Sequence, residues 1–262
     1  MSLAIPSAKW EYDQCTDQIS RVKTKVVNGQ SFTATTKYQI DTNTLLGVAS
    51  CLVRPLKPEV DGKIKAVKMG TTEYITLKQE HHISCQWPNK TMGLMIHSKA
   101  WLKIDWCEVL IMHKYDNSLC DIVETLTSDE KLEAITQISY GLVKLHELGI
   151  AHDDLKFANI LYDKQKNRYD IADFGYAKFL KNIKSKEDRT KLINNDIQEL
   201  KTMIRRILGG RVENKPCPTL VELYDMLPLM GYSLNLRKTI LDTITNTRYG
   251  ALEIAQRFRE HN

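Results

Sequence analysis

Two short stretches constrain the fold more than any other feature of the chain: HDDLKFANIL at 152–161 and IADFG at 171–175. In the first, His152, Asp153, Asp154 and Lys156 stand between the apolar pairs Ile150-Ala151 and Ile160-Leu161. Charged groups beside core segments need partners, because an unpaired buried charge is costly. The conflict is resolved if a helix stops at Gly149, a loop carries the polar residues, and a strand begins at Ile160. A second short strand then ends in IADFG. That arrangement lets Asp154, Asn159 and Asp173 converge on one cleft from a loop and two adjacent strand ends. One carboxylate beside an Asn and a second carboxylate suits a hydroxyl-activating base next to a Mg2+ site. Mg2+ takes oxygen ligands and needs few protein groups when a triphosphate supplies the rest.

The segments around this pair differ in character. Before it the sequence is strand-rich. RVKTKVVNGQSFTATTKYQI flanks Asn28-Gly29 with β-branched residues, a strong hairpin signal because both turn positions need positive φ. ASCLVRPL and GKIKAVKM predict a second strand pair linked around Pro58 and Asp61-Gly62. TTEYITLKQEHHISCQ predicts a helix stopped by Pro88-Asn89, and TMGLMIHSKAWLKI and WCEVLIMHKY are β-prone. The later part is helical. Thr127 and Glu130 form a capping box ahead of a helix with Leu132, Ile135, Ile138, Leu142 and Leu145 on one face. A second helix is predicted from about Asp196, with Ile197, Leu200, Ile204 and Ile207 on its apolar face and Gly209-Gly210 at its end. Thr219 with Glu222 opens another helix, and ALEIAQRF forms the last. The fold class is α+β, a two-lobed chain with a β-rich part at 1–113, an α-rich part at 114–262 and a joint near His113 to Asn117.

Composition narrows the function classes. No run approaches the 18 apolar residues of a membrane span, and MSLAIPSAKWEYDQ has neither a basic stretch nor a long apolar run, so no secretory leader is expected. The six cysteines, Cys15, Cys51, Cys85, Cys107, Cys120 and Cys217, are scattered without a CxxC pair, and reduced thiols in a cytosolic setting are expected. A net charge of +5 does not by itself call for nucleic acid. The stretch 178–191 is denser in Lys and Arg and reads as a solvated loop, or as a platform for a regulatory protein or acidic ligand.

HDDLKFAN followed by DFG resembles the catalytic loop and metal loop of the eukaryotic-type protein kinase superfamily, H-R-D-L-x-x-x-N and D-F-G. The resemblance implies that Asp154 orients or accepts the proton of the attacking hydroxyl, that Lys156 holds the γ-phosphate, and that Asn159 and Asp173 hold Mg2+. KAVKM resembles the strand-lysine motif, with Lys68 as its lysine and Ala66 against adenine. Its helix partner would be Glu80, with Glu73 as the alternative. Met112, His113 and Lys114 resemble the hinge that bonds adenine, and Gly47 and Val53 belong to the phosphate-covering loop and the strand after it. Asp196 resembles the aspartate that braces the catalytic loop. The implied activity is Ser/Thr protein phosphorylation, with ATP and Mg2+ as cofactors, a protein as substrate and the cytosol as location. A likeness to compact kinases of viruses or injected bacterial effectors would make that the cytosol of a host cell.

The pattern departs from the family at three places. Asp153 stands where arginine is common and would repel a phosphate on the activation loop. Asp173 and Asp196 are only 23 positions apart with no A-P-E between them, which puts peptide docking in question. LLGVASCLV has only Gly47 where G-x-G-x-x-G is expected, and NGQSFTAT is a rival too far from Lys68. Two alternatives follow: a kinase-like module that acts by docking a partner, and a small-molecule kinase of the aminoglycoside or choline type.

Overall fold

The computed structural model describes residues 8–27, 30–44, 46–48, 52–60, 63–71, 77–86, 94–96, 98–105 and 107–260. The chain divides into two compact units, Met1–Pro88 with His97–Lys114, and Asn89–Ile96 with Tyr115–Asn262. Relative to a single break after His113, this division returns residues 89–96 to the second unit. No helix among the described residues is long and apolar enough to cross a membrane. Cys15, Cys85, Cys107, Cys120 and Cys217 are free thiols, and Cys51 lies outside the described residues.

The first unit contains β1 (Ala8–Asp13), β2 (Gln18–Val27), β3 (Gln30–Ile40), β4 (Gly47–Val48), β5 (Leu52–Val60), β6 (Lys63–Thr71), α1 (Leu77–Cys85), β7 (Ser98–Ile104) and β8 (Cys107–His113). The antiparallel sheet runs β1-β2-β3-β5-β6-β8-β7, with β4 beside β5. Side chains alternate across a strand, so every second residue shares a face. One face gathers Ile19, Tyr38, Ile40, Leu56, Val67, Val109 and Ile111, joined by Trp10 and Tyr12 of β1 and Leu102 of β7. Both edge strands feed this one core and β1 comes beside β7, so the sheet curls into an incomplete barrel. On the other face Leu77 of α1 packs with Leu110 and Trp101.

Several expectations change here. The strands flanking Asn28-Gly29 pair in register from Val27 opposite Gln30 outward, while the turn lies outside the described residues. Strand β5 continues to Val60 and takes in Pro58, which sequence reading assigned to a connector. Proline cannot donate to a ladder, and the register slips between Leu56 and Val60, where an irregularity absorbs the missing donor. The predicted helix is seen as Leu77–Cys85, and residues 72–76 lie outside the described residues. The β-prone run TMGLMIHSKAWLKI splits, because residues 94–96 bind into the second unit. Leu94 N–H donates to the buried Asp170 carboxylate at 2.5 Å, Ile96 N–H donates to the Ile171 carbonyl at 2.9 Å, and Met95 bridges Ile171.

The second unit contains β9 (Asn117–Ser118), α2 (Leu119–Ile122), α3 (Ser128–Glu147), β10 (Ile150–Ala151), β11 (Ile160–Asp163), β12 (Arg168–Ile171), β13 (Lys178–Phe179), α4 (Lys186–Gly209), α5 (Leu220–Met226), α6 (Leu234–Thr245) and α7 (Ala251–Arg259). Both strands of the Thr127–Glu130 capping box form, and the predicted α3 face is buried. Gly141 lies where α3 meets the 94–96 segment, since a Cβ there would come within 2.7 Å of the Leu94 carbonyl oxygen. Helix α4 begins at Lys186, ten residues before the predicted start at Asp196. Ser185 caps it by accepting from Asp188 N–H at 3.2 Å, and Glu187 and Asp188 sit against the positive end of the helix dipole. These short-range signals were hidden inside a stretch whose Lys content reads as loop.

Candidate active site

The residues of the 152–159 loop are held by a buried carboxylate. Asp196, on α4, is fully buried. One of its oxygens accepts from His152 N–H at 2.8 Å and from His146 Nε2 at 2.8 Å, and the other accepts from Asp153 N–H at 2.9 Å. A buried carboxylate is tolerated when such N–H groups replace its water shell. His152 is fully buried as well. Its Nε2 faces the Ala172 carbonyl at 2.9 Å, and its Nδ1 accepts from Asp154 N–H at 3.3 Å. A carbonyl can only accept, so the proton sits on Nε2 and the ring is neutral. Burial lowers the His152 pKa below the usual histidine value, against the Ala172 carbonyl and the charges of Asp196, Asp154 and Asp173. Phe174 of the DFG stretch is fully buried and meets the His152 ring edge-on at 5.6 Å.

The loop therefore presents its acidic and basic groups on a fixed frame. Lys156 Nζ donates to Asp154 Oδ2 at 2.6 Å, and Asn159 Nδ2 donates to the Asp154 carbonyl at 2.8 Å and to Oδ2 at 3.0 Å. Partial burial works against the Lys156 ammonium, but the Asp154 hydrogen bond and the charges of Asp154, Asp173 and Glu213 outweigh it and raise its pKa. Strands β11 and β12 pair Ile160 with Ile171, and Ala172 N–H donates to the Asn159 carbonyl at 2.8 Å. Asn159 and Asp173 thus leave adjacent strand ends together. Asp153 and Asp173 both have positive φ, 61° and 63°. Aspartate is among the residues that tolerate the left-handed region, which gives position 153 a backbone reason for its identity.

Three supporting groups have no signature in the motif. His146 is the last-turn histidine of α3 that reaches Asp196. Glu199 accepts from Leu155 N–H at 3.0 Å, and Glu213 accepts from Phe157 N–H. Burial raises the Glu199 pKa against the Leu155 bond, and the charges of Asp196, Asp154 and Asp153 push it the same way. The only hint in the sequence is that Asp196 and Glu199 are three apart on one helix and so share a face.

In the first unit, Lys68 Nζ donates to Glu80 Oε2 at 2.8 Å, with the two side chains 10% and 1% exposed. Glu73 lies outside the described residues. Register aligns Gly47 with Val53, Val53 with Lys68, and Lys68 with Leu110, and the parallel row holds Ala66 opposite Met112. Cross-strand neighbours share a face, so Val53, Ala66, Lys68 and Met112 line the α1 side of the sheet. Met112 is buried and His113 and Lys114 are half-buried at the end of this unit. Residues 49–51 lie outside the described residues.

Comparison with known proteins gives the same class. Residues 90–194 match the protein kinase domain family. The chain is similar to the serine/threonine-protein kinase pakH of Dictyostelium discoideum, 32% identical over 94 residues, 36% of this chain and 18% of that protein. It is similar to the cell division cycle 7-related protein kinase of Mus musculus, 28% identical over 96 residues, 37% of this chain and 16% of that protein. It is also similar to the eIF-2-alpha kinase GCN2 of Schizosaccharomyces pombe, 29% identical over 114 residues, 43% of this chain and 7% of that protein. These matches span less than a fifth of each relative. The kinase-domain match over residues 90–194 and these relatives support membership of the eukaryotic-type protein kinase superfamily, and the β-rich and helical parts fit the two-lobed fold of that family.

Two outcomes follow from the frame. Asp196→Ala strips three N–H donors of their acceptor, and each buried unsatisfied group costs about 1–3 kcal/mol, so urea unfolding should show a loss on the order of 3 kcal/mol or more. Because the folded His152 pKa lies below its unfolded value, the unfolded chain takes up a proton that the folded one refuses. Its contribution is present above the unfolded pKa of about 6.5 and is lost as pH falls below it. The unfolding midpoint should fall between about pH 7.5 and about pH 5.5, and fall less in His152→Gln, which cannot take up the proton.

Proposed function

We propose that the chain is a Ser/Thr-directed protein kinase that moves the γ-phosphoryl group of ATP to a protein hydroxyl with Mg2+ bound. The observation that carries this reading is the Asp154 carboxylate, tied to Lys156 at 2.6 Å and to Asn159 at 3.0 Å on a loop braced from beneath. Asp154 takes or orients the proton of the acceptor hydroxyl as its oxygen bonds to phosphorus and the bond to the ADP oxygen breaks. Lys156 lies beside that carboxylate and sets positive charge against the transferred phosphoryl oxygens. In such transfer most of the rate comes from alignment and charge neutralisation, so a rigid frame is the main requirement.

The residues suit Mg2+. Asn159 spends its Nδ2 on Asp154, which leaves Oδ1 as an oxygen ligand, and Asp173 supplies a carboxylate from the neighbouring strand end. No cluster of three or more His, Cys, Asp or Glu side chains that could hold a metal occurs among the described residues. One carboxylate and one amide oxygen match an ion that keeps most of its shell for phosphates and water. When bound, Mg2+ would neutralise phosphate oxygens. In the first unit, the Lys68–Glu80 pair and the row through Val53 and Ala66 would receive the nucleotide.

Activation needs no phosphate on this reading. The segment after Gly175 is held by the β10–β13 ladder and by Leu180 N–H donating to the Gly149 carbonyl at 2.8 Å, while Asp153 would repel an added phosphate. Asp154→Asn should lower transfer to a mixed Ser/Thr peptide library at least about a hundredfold without unfolding the protein, and phosphatase treatment of the wild type should leave the rate unchanged. Cellular effects that survive Asp154→Asn would point instead to a docking module. Transfer to aminoglycosides or choline, and not to peptides, would point to a small-molecule kinase.

A further inference from the structure

Charge is unevenly spread along this chain. The fourteen positions from Lys178 to Lys191 hold six basic and two acidic residues, a net of +4 in a chain that totals +5. Lys178, Lys181, Lys184, Lys186 and Lys191 are exposed, and none forms an ion pair among the described residues. Arg189 is half-buried and acts on Glu187. The strip opens on Tyr176, an aromatic side chain 62% exposed, and Lys181 lies 5.4 Å from the centre of the Phe179 ring.

This strip is anchored beside the 152–159 loop. Lys178 pairs across the ladder with Ala151, which directly precedes His152, Asp153 and Asp154. Leu180 is tied to Gly149, Ile183 N–H donates to the Leu180 carbonyl at 3.1 Å, and Ser185 then caps α4, so the cations ride on fixed backbone. The strip's own acids, Glu187 and Asp188, leave it a net charge of +4, and neither forms a salt bridge with its lysines among the described residues. Gathered like charges with a net excess raise the local concentration of an anionic ligand and speed its encounter.

Resting on the kinase reading above, we propose that this strip binds an acidic flank of the protein substrate, so that hydroxyls in Asp- and Glu-rich sequence are selected. The probe is a fluorescein-labelled peptide with one serine flanked by aspartates, against the same peptide with asparagines. Binding to the full chain is read by fluorescence anisotropy without nucleotide, and transfer is measured separately. The acidic peptide should bind roughly tenfold more tightly at low salt, and the gap should close at high salt. Lys178→Glu/Lys181→Glu/Lys184→Glu should abolish the preference and raise KM for the acidic peptide with little change in kcat. Lys181→Glu alone should give a partial loss, which guards against a misfolded triple variant. Equal binding of the two peptides, or an undiminished preference in the triple variant, would overturn the proposal. So would tighter, strip-dependent binding of single-stranded RNA or phosphatidylserine vesicles than of the acidic peptide. Binding preference without any transfer would leave the strip standing and sink the kinase reading, whereas transfer without preference would do the reverse.

Discussion

The buried carboxylate of Asp196 is the contact on which the second unit depends. It joins α4, the end of α3 and the backbone of the 152–159 loop through three N–H donors. An ion inside a protein is costly unless its water is fully replaced, and here the replacement comes from His146 and from two successive backbone N–H groups of the loop. The same solvation therefore fixes two successive residues, His152 and Asp153, and so the direction in which Asp154 leaves the loop. The neutral His152 ring continues the chain of bonds to Ala172, one residue before Asp173. Glu199 and Glu213 repeat the device on Leu155 and Phe157. Three carboxylates thus hold, by its N–H groups, a loop that has little regular structure of its own.

How much of this was legible in the sequence depends on the range of the interaction. Local signals read through well: the Thr127–Glu130 box, the Gly149 stop and the apolar face of α3 depend on residues within a few positions of one another. That Asn159 and Asp173 leave adjacent strand ends was legible because their spacing is tied to two short paired strands. Lys68 with Glu80 was read from the family pattern, and the ion pair is present at 2.8 Å. What the sequence hid was mostly long-range. Nothing local says that Glu213 will accept from Phe157, or that residues 94–96 will bind beside Ile171 instead of extending β7. The early start of α4 was a different failure, since a Lys-rich composition masked the Ser185 cap.

The N-terminal strands add a feature that the family pattern did not forecast. Trp10, Tyr12 and Ile19 complete a core shared by all seven strands of the sheet path, so the sheet gains an apolar interior on the face away from α1. Burial on that side steadies β6 and β8, which carry Ala66, Lys68 and Met112 on the other. A sheet packed on both faces holds its register strongly, because a one-residue slip would turn Lys68 inward and Val67 outward.

The most direct test of the account is thermal unfolding of the wild type and of Asp173→Asn, each with and without ATP and Mg2+. Ligand at about 100 times its dissociation constant adds about 2.7 kcal/mol of stability. The account predicts a Mg2+-dependent rise in Tm for the wild type that is lost in Asp173→Asn. No rise at millimolar ATP, or an equal rise in both proteins, would contradict it.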